Sequence, residues 1–265
     1  DLSIAARIHD DGVGFAIVSN DASELYVVVE VPRDTPVVPV DPFEVIETLG
    51  EHGPIAGHMG QYEDRQSQRD MAAYITDAYN DGGVVMLEAG TGVGKSFAYL
   101  VPALMWARAN KERTVVSTNT INLQEQLVGK DLPLLRDALA DGDYEPTFAL
   151  LKGWRNYLCL SRLQHAAAGQ PSLLEPEKLE EILAIAEWSG RTADGSLGDL
   201  SFQPSAEVWD EVSAESDLCT RLKCSFFDKC FLFRARRRAA DADVVVGNHH
   251  LLAAELAIRQ AQDTG

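Results

Sequence analysis

Val84-Val85-Met86-Leu87-Glu88-Ala89-Gly90-Thr91-Gly92-Val93-Gly94-Lys95-Ser96 is the stretch on which the reading of this chain turns. Its four leading apolar residues predict a buried strand, glycines follow at 90, 92 and 94, and Lys95-Ser96 opens a helix predicted to reach about Ala109. A turn of this composition can aim several backbone N–H groups at one anion, because no Cβ obstructs the approach. The helix behind it adds the positive end of its dipole. In such a loop Lys95 reaches the β- and γ-phosphates of a nucleotide, and Ser96 gives its hydroxyl to Mg2+. The alternative is a glycine-rich strand-to-helix turn that binds nothing.

Working downstream, Thr114 to Thr118 reads as a second short buried strand, and Asn119 or Thr120 can cap a helix over Ile121 to Val128. Pro102 predicts a kink or early turn in the helix between. Thr147 to Leu151 reads as a third strand, and this alternation predicts an α/β fold: a parallel sheet with helices on both faces. Polar Thr118, Asn119, Thr120, Gln124 and Gln126 then fall at the end of a parallel strand, where open α/β sheets hold ligands.

Working upstream, Tyr62-Glu63-Asp64-Arg65-Gln66-Ser67-Gln68 enters a helix predicted to run to about Tyr79. A glutamine amide both donates and accepts, so it can pair with an adenine edge, while Arg or Tyr can stack on a base. A solvated helix start is the plainer reading of the same residues. Phe43 to Leu49 predicts a short helix, and Pro32 to Pro42 a proline-rich linker. Val13 to Ser19 and Leu25 to Val31, joined by Asn20-Asp21-Ala22-Ser23, predict a β-hairpin. Residues 1–39 are expected to be a β-rich edge of a preceding domain, and 40–60 a linker.

The chain has 265 residues, 46% hydrophobic and 24% charged, so it can bury a sizeable core and is not disordered as a whole. No apolar run is long enough to span a bilayer and no signal peptide is evident, which predicts a cytoplasmic protein. A net charge of −18 argues against a nucleic-acid coat protein, but the charge is uneven. Residues 170–218 are strongly acidic, whereas Arg221, Lys223, Lys229, Arg234, Arg236, Arg237 and Arg238 oppose Asp228 alone between Cys219 and Arg238.

The four cysteines are Cys159, then Cys219, Cys224 and Cys230 far downstream. A reducing compartment makes a metal site the better reading than disulfides. The ligand count suits an iron-sulfur cluster or structural zinc, and spacing does not choose between them; unrelated buried thiols are the third possibility. A basic helix, Phe231 to Ala240, follows the last cysteine, with Phe226, Phe227, Phe231 and Phe233 interleaved. That is either a contact surface for a phosphate backbone and its bases or an aromatic shell with solvated arginines.

Taken in order, these residues resemble the iron-sulfur DNA helicases of superfamily 2, the XPD and DinG group, over about residues 43–258. The carriers are Tyr62-x-x-Arg65-x-x-Gln68, the Ala-x-x-Gly-x-Gly-Lys-Ser loop over Ala89 to Ser96, and Ser117-Thr118-Asn119-Thr120 with Gln124 and Gln126. They continue with Lys152-Gly153-Trp154-Arg155-Asn156-Tyr157-Leu158-Cys159, the later cysteine trio, and Val246-Gly247-Asn248-His249-His250-Leu251-Leu252. Trp154 departs from the Arg often found there. The resemblance implies a RecA-like motor domain, with a first part at 61–151, a [4Fe-4S] insertion at 152–238 and a return at 239–265. It implies 5′-to-3′ movement on single-stranded DNA and unwinding of duplex junctions, driven by ATP with Mg2+.

In these terms Arg65 and Gln68 read adenine, and Ala89, Gly90, Thr91, Gly92, Val93, Gly94, Lys95 and Ser96 hold the phosphates. Cys159, Cys219, Cys224 and Cys230 hold the cluster, and Thr118, Asn119 and Gln124 with Arg236, Arg237 and Arg238 meet DNA. Asn248, just past a predicted strand at Asp243 to Val246, is expected to cap the last helix. No Asp-Glu-Ala-His box occurs, and Glu207-Val208-Trp209-Asp210-Glu211 lacks a leading strand. An N-terminal portion with little ATPase activity of its own, monomeric, is therefore expected. The rivals are a zinc- or iron-sulfur-containing DNA-binding or redox module with a vestigial loop, and an unrelated phosphate-loop kinase.

Overall fold

The computed structural model describes residues 2–9, 12–19, 25–32, 36–82, 85–168 and 176–263. The chain divides into two compact units, one built from 1–149 with 242–265 and the other from 150–241. In the first unit, β1 (Leu2–His9), β2 (Gly12–Ser19) and β3 (Leu25–Pro32) pair as an antiparallel sheet in that order. The connection expected at Asn20 to Ser23 lies outside the described residues.

Helix α1 (Pro42–Thr48) begins where Asp41 accepts a hydrogen bond from the amide of Phe43 at 2.9 Å, with Pro42 pre-set for the first turn. A single turn, α2 (Pro54–Gly57), precedes α3 (Gln66–Asp81). After the glycine-rich loop, α4 (Lys95–Asn110) forms the buried spine of the unit, with Leu100, Val101, Leu104 and Trp106 at or below 1% exposure. Pro102 sits inside this continuous helix instead of ending it. Its ring is buried among these apolar neighbours, and burial of that face outweighs the lost backbone hydrogen bond.

Strand β4 (Thr114–Thr118) leads into α5 (Ile121–Gln126), whose start is capped by the Thr120 hydroxyl accepting from Leu123 N. A π turn at Leu127–Asp131 joins α5 to α6 (Leu132–Leu139), so the predicted short helix is the first part of a longer, widened one. Pro133 follows the widened turn, where its missing N–H costs least. Strand β5 (Phe148–Leu150) closes the first unit's outward path.

In the second unit, α7 (Leu160–Ala168), α8 (Pro176–Ser189), α9 (Ala206–Val212) and α10 (Phe231–Asp241) enclose their own core. Ile182, Ile185, Val208, Val212, Leu158 and Leu232 are at or below 1% exposure there. The chain then returns through β6 (Val244–Asn248) and α11 (His249–Asp263). The second sheet has the order β4-β6-β5, with β4 and β6 parallel and in register from Thr114 opposite Val244 to Thr118 opposite Asn248. Val244, Val245 and Val246 are buried, as a covered parallel strand requires.

One expectation fails in form. Val84 lies outside the described residues, and Val85, Met86 and Leu87 belong to no strand and are 41%, 60% and 37% exposed. An apolar run becomes a buried strand only when a neighbour pairs its backbone and a layer covers its side chains. Among the described residues neither partner is in place.

Candidate nucleotide and cysteine sites

The glycine-rich loop ends at the N-cap of α4, where Gly94 adopts φ 83° and ψ 34°; Gly92 shares the positive φ. Such left-handed conformations are nearly free for glycine and costly for other residues. Gly94 is doubly required, because a Cβ there would lie 2.0 Å from Gln68 Nε2. Gln68, 3% exposed on the first turn of α3, donates from Nε2 to the Gly94 carbonyl at 2.8 Å. Lys95 curls over the loop and donates to the carbonyls of Ala89 at 2.8 Å and Gly90 at 3.2 Å. An exposed ammonium with only neutral carbonyl partners is free to exchange them for a phosphate anion. Ser96 shares a hydrogen bond with the Tyr99 hydroxyl, and burial pushes that phenol above its usual range.

Beside the loop is a cleft of about 380 Å3, bordered by Met59, Tyr62, Glu63, Arg65, Gln68 and Phe97. Its volume suits a nucleobase with its ribose. Tyr62 is fixed there by donating to the Leu49 carbonyl, and Arg65 Nη2 pairs with Glu63 Oε2 at 2.5 Å. The structure thus brings Arg65 and Gln68 beside the glycine-rich loop. Met59, Glu63 and Phe97 are cleft residues that the sequence motifs do not flag; only their closeness to flagged positions could have.

At the end of β4, the three predicted strand-contacting residues part company. Asn119 is exposed, whereas Thr118 and Gln124 are each 3% exposed. The Thr118 hydroxyl donates inward to the Thr120 carbonyl at 3.3 Å. Ser117 Oγ meets His249 Nδ1 at 2.7 Å, and Asn248 Oδ1 accepts from Leu251 N at 2.7 Å, which is the helix cap expected of it.

In the second unit all four cysteines border a single cavity of about 80 Å3. Cys159 is set by its amide donating to the Val212 carbonyl at 2.8 Å, flanked by Leu158 N to Gly195 O at 2.9 Å and Ala214 N to Tyr157 O at 2.7 Å. Gly195 has φ 66°, and a Cβ on it would fall 2.1 Å from the Phe231 ring. Cys219 Sγ accepts from the amide of Arg221 at 3.4 Å, and Arg221 takes the positive φ of 52° that this turn imposes. Cys230 caps α10. Burial pushes its thiol up, while the amides of Phe233 and Leu232 and the helix dipole favour the thiolate. The nearby Cys159 and Cys219 raise it further, as thiols gathered at one place should.

Among the described residues no group of three or more His, Cys, Asp or Glu is arranged to hold a metal ion. Three arginines of α10 are engaged within their own unit. Arg236 lies 4.8 Å from the Trp154 ring centre, Arg237 lies 5.7 Å from that of Phe227, and Arg238 is 3.8 Å from Asp194. Trp154 and Phe233 meet edge to face at 6.2 Å, and Phe227 and Phe233 are tilted at 4.9 Å, so rings and guanidinium groups form one alternating cluster against the cysteine cavity.

The chain is 39% identical over 211 residues to the ATP-dependent DNA helicase YoaA of Escherichia coli, a match that covers 79% of this chain and 32% of the relative. It is a homologue of the XPD/DinG-type helicases. The ATP-dependent helicase DinG of Mycobacterium tuberculosis matches at 39% over 211 residues, covering 74% of this chain and 32% of that protein. The YoaA helicase of Haemophilus influenzae matches at 33% over 219 residues, with 82% and 33% covered. The chain therefore spans about a third of the length of the curated relatives it matches. No family model matches it. Among the described residues no helix is long and apolar enough to cross a membrane.

Proposed function

We propose that this chain is the nucleotide-binding and cluster-bearing part of a cytoplasmic, monomeric ATP-dependent DNA helicase that moves 5′ to 3′ on single-stranded DNA and opens duplex junctions. The observation that carries the reading is the pairing of a lysine-bearing phosphate loop beside a base-sized cleft with four thiols around one cavity. Lys95 would leave the Ala89 and Gly90 carbonyls to meet the β- and γ-phosphates, and Ser96 would turn its hydroxyl to Mg2+.

Cys159, Cys219, Cys224 and Cys230 would hold a [4Fe-4S] cluster. What supports this reading is that all four thiols border one cavity, matching the four cysteine ligands such a cluster takes. Bound there, the cluster supplies a covalent cross-link between segments far apart in sequence. Asn119 would meet the DNA strand, with Thr118 and Gln124 holding its loop from beneath. On α10, Arg234, Arg237 and Arg238 are exposed cations, and Arg236 is half-buried beside Trp154.

The test is ATP turnover by the complete protein with and without single-stranded DNA. Strong stimulation is expected; turnover indifferent to DNA would favour a small-molecule kinase.

A further inference from the structure

The wall of the cysteine cavity carries charge as well as sulfur. Arg162 and Glu215 border the same space, of about 80 Å3, as the four thiols. Cys159 opens α7 by accepting from Leu163 N at 2.9 Å, so Arg162, three residues on, rises from the same side of the first turn. Its guanidinium is pinned there. Nη2 donates to the Asp210 carbonyl at 2.7 Å and Nη1 to that of Ser213 at 2.8 Å, at the end of α9. Both acceptors are neutral, so they fix the position of the guanidinium and leave its charge uncancelled.

Glu215 lies 3.4 Å from Arg162 and 3.1 Å from Arg155, and one carboxylate between two guanidinium groups leaves a net positive charge. The three are not equally placed. Arg155 is 68% exposed, where water and salt screen it, whereas Arg162 is 24% and Glu215 32% exposed. Arg221 also borders the cavity, but it is exposed. The cation felt most strongly in the cavity is therefore that of Arg162. An electron added to a thiolate-held iron-sulfur cluster makes it more negative, so a fixed cation on its wall favours the reduced form and a fixed anion the oxidised one. We infer that Arg162 raises the reduction potential of the cluster that the four cysteines would hold, and that Glu215 is the opposing charge that trims it. The inference rests on the cluster reading given above.

The experiment is an anaerobic redox titration of the complete protein, followed by its visible absorbance, after iron and sulfide analysis of each variant. Arg162→Gln keeps an amide donor for the α9 carbonyls but loses the charge. It should move the reduced:oxidised ratio at a fixed potential roughly tenfold toward the oxidised form, a drop of about 59 mV for a one-electron couple. Arg162→Lys should stay close to the wild type, Arg155→Gln should move the potential less than Arg162→Gln, and Glu215→Gln should raise it. A potential unmoved by Arg162→Gln, or lowered as far by Arg162→Lys, overturns the inference. So does a Glu215→Gln shift of the same sign as that of Arg162→Gln, which general loosening of the cavity would produce. Should Arg162→Gln lose its iron, Glu215→Gln decides alone: a raised potential supports the inference and an unchanged one overturns it. Wild-type protein without iron and sulfide overturns the cluster reading itself.

Discussion

The glycine-rich loop and the cysteine cavity are built in opposite ways. The loop is local: Ala89 to Ser96 are contiguous, and their chemistry comes from backbone amides, two left-handed glycines and one lysine. The cysteine cavity is assembled by tertiary structure, from Cys159 ahead of α7, Cys219 and Cys224 in irregular turns, and Cys230 at the cap of α10. A local site should tolerate loss of its key side chain without unfolding. An assembled one should lose structure along with its ligands.

The contrast is tested hardest by removing a thiol. Cys224→Ser should abolish the bound cluster and its visible absorbance and should loosen the second unit, read as faster proteolysis within 150–241; an unchanged absorbance would assign the thiol elsewhere. Lys95→Ala in the complete protein should lower ATP turnover by roughly 10²-fold or more while leaving the iron content and melting temperature unchanged, since it removes charge stabilisation and not packing. Turnover that persists would show the loop to be misassigned.

Gly195→Ala probes the assembly of the cysteine wall. Its new Cβ meets the Phe231 ring and sits at φ 66°, so overpacking and backbone strain should together cost about 2–4 kcal/mol in denaturant unfolding. A silent substitution would mean that the ring moves aside freely.

How much of this was legible follows the same divide. The loop, the α1 and α5 starts and the Asn248 cap could be read because each is decided by residues within one or two turns of one another. Val85 to Leu87 misled because hydrophobicity records a demand for burial, not the neighbour that meets it. β1 was missed although Leu2, Ile4, Ala6 and Ile8 alternate with Ser3, Arg7 and His9, so that signal was present in the sequence. The burial of Gln124 and Thr118 was invisible because polarity predicts exposure; among the described residues Gln124 Nε2 finds no partner even though it is buried. The Lys152–Ser196 pairing, at 2.8 Å across a long sequence gap, depends on how elements meet.

Smaller effects refine the picture of the basic helix. Reversing Arg237 and Arg238 to Glu in the complete protein should weaken single-strand binding and flatten its salt dependence by about 0.7 in log–log slope for each phosphate no longer neutralised. An unchanged slope would leave these arginines to Phe227 and Asp194 alone. The smallest effect belongs to Tyr79 on α3, half-buried with its hydroxyl 3.1 Å from that of Thr114, whose phenol is pushed up to about 12 chiefly by desolvation. Because the folded value lies above the unfolded 10.0, its contribution is intact below pH 10 and fades as pH rises toward 12; Tyr79→Phe should flatten the alkaline limb of stability against pH.

The cysteine cavity is where the account is most exposed, and metal content addresses it directly. Anaerobically purified protein should carry about four irons and four acid-labile sulfides per chain, as a cubane held by four thiolates requires. Stoichiometric zinc without sulfide would contradict the account.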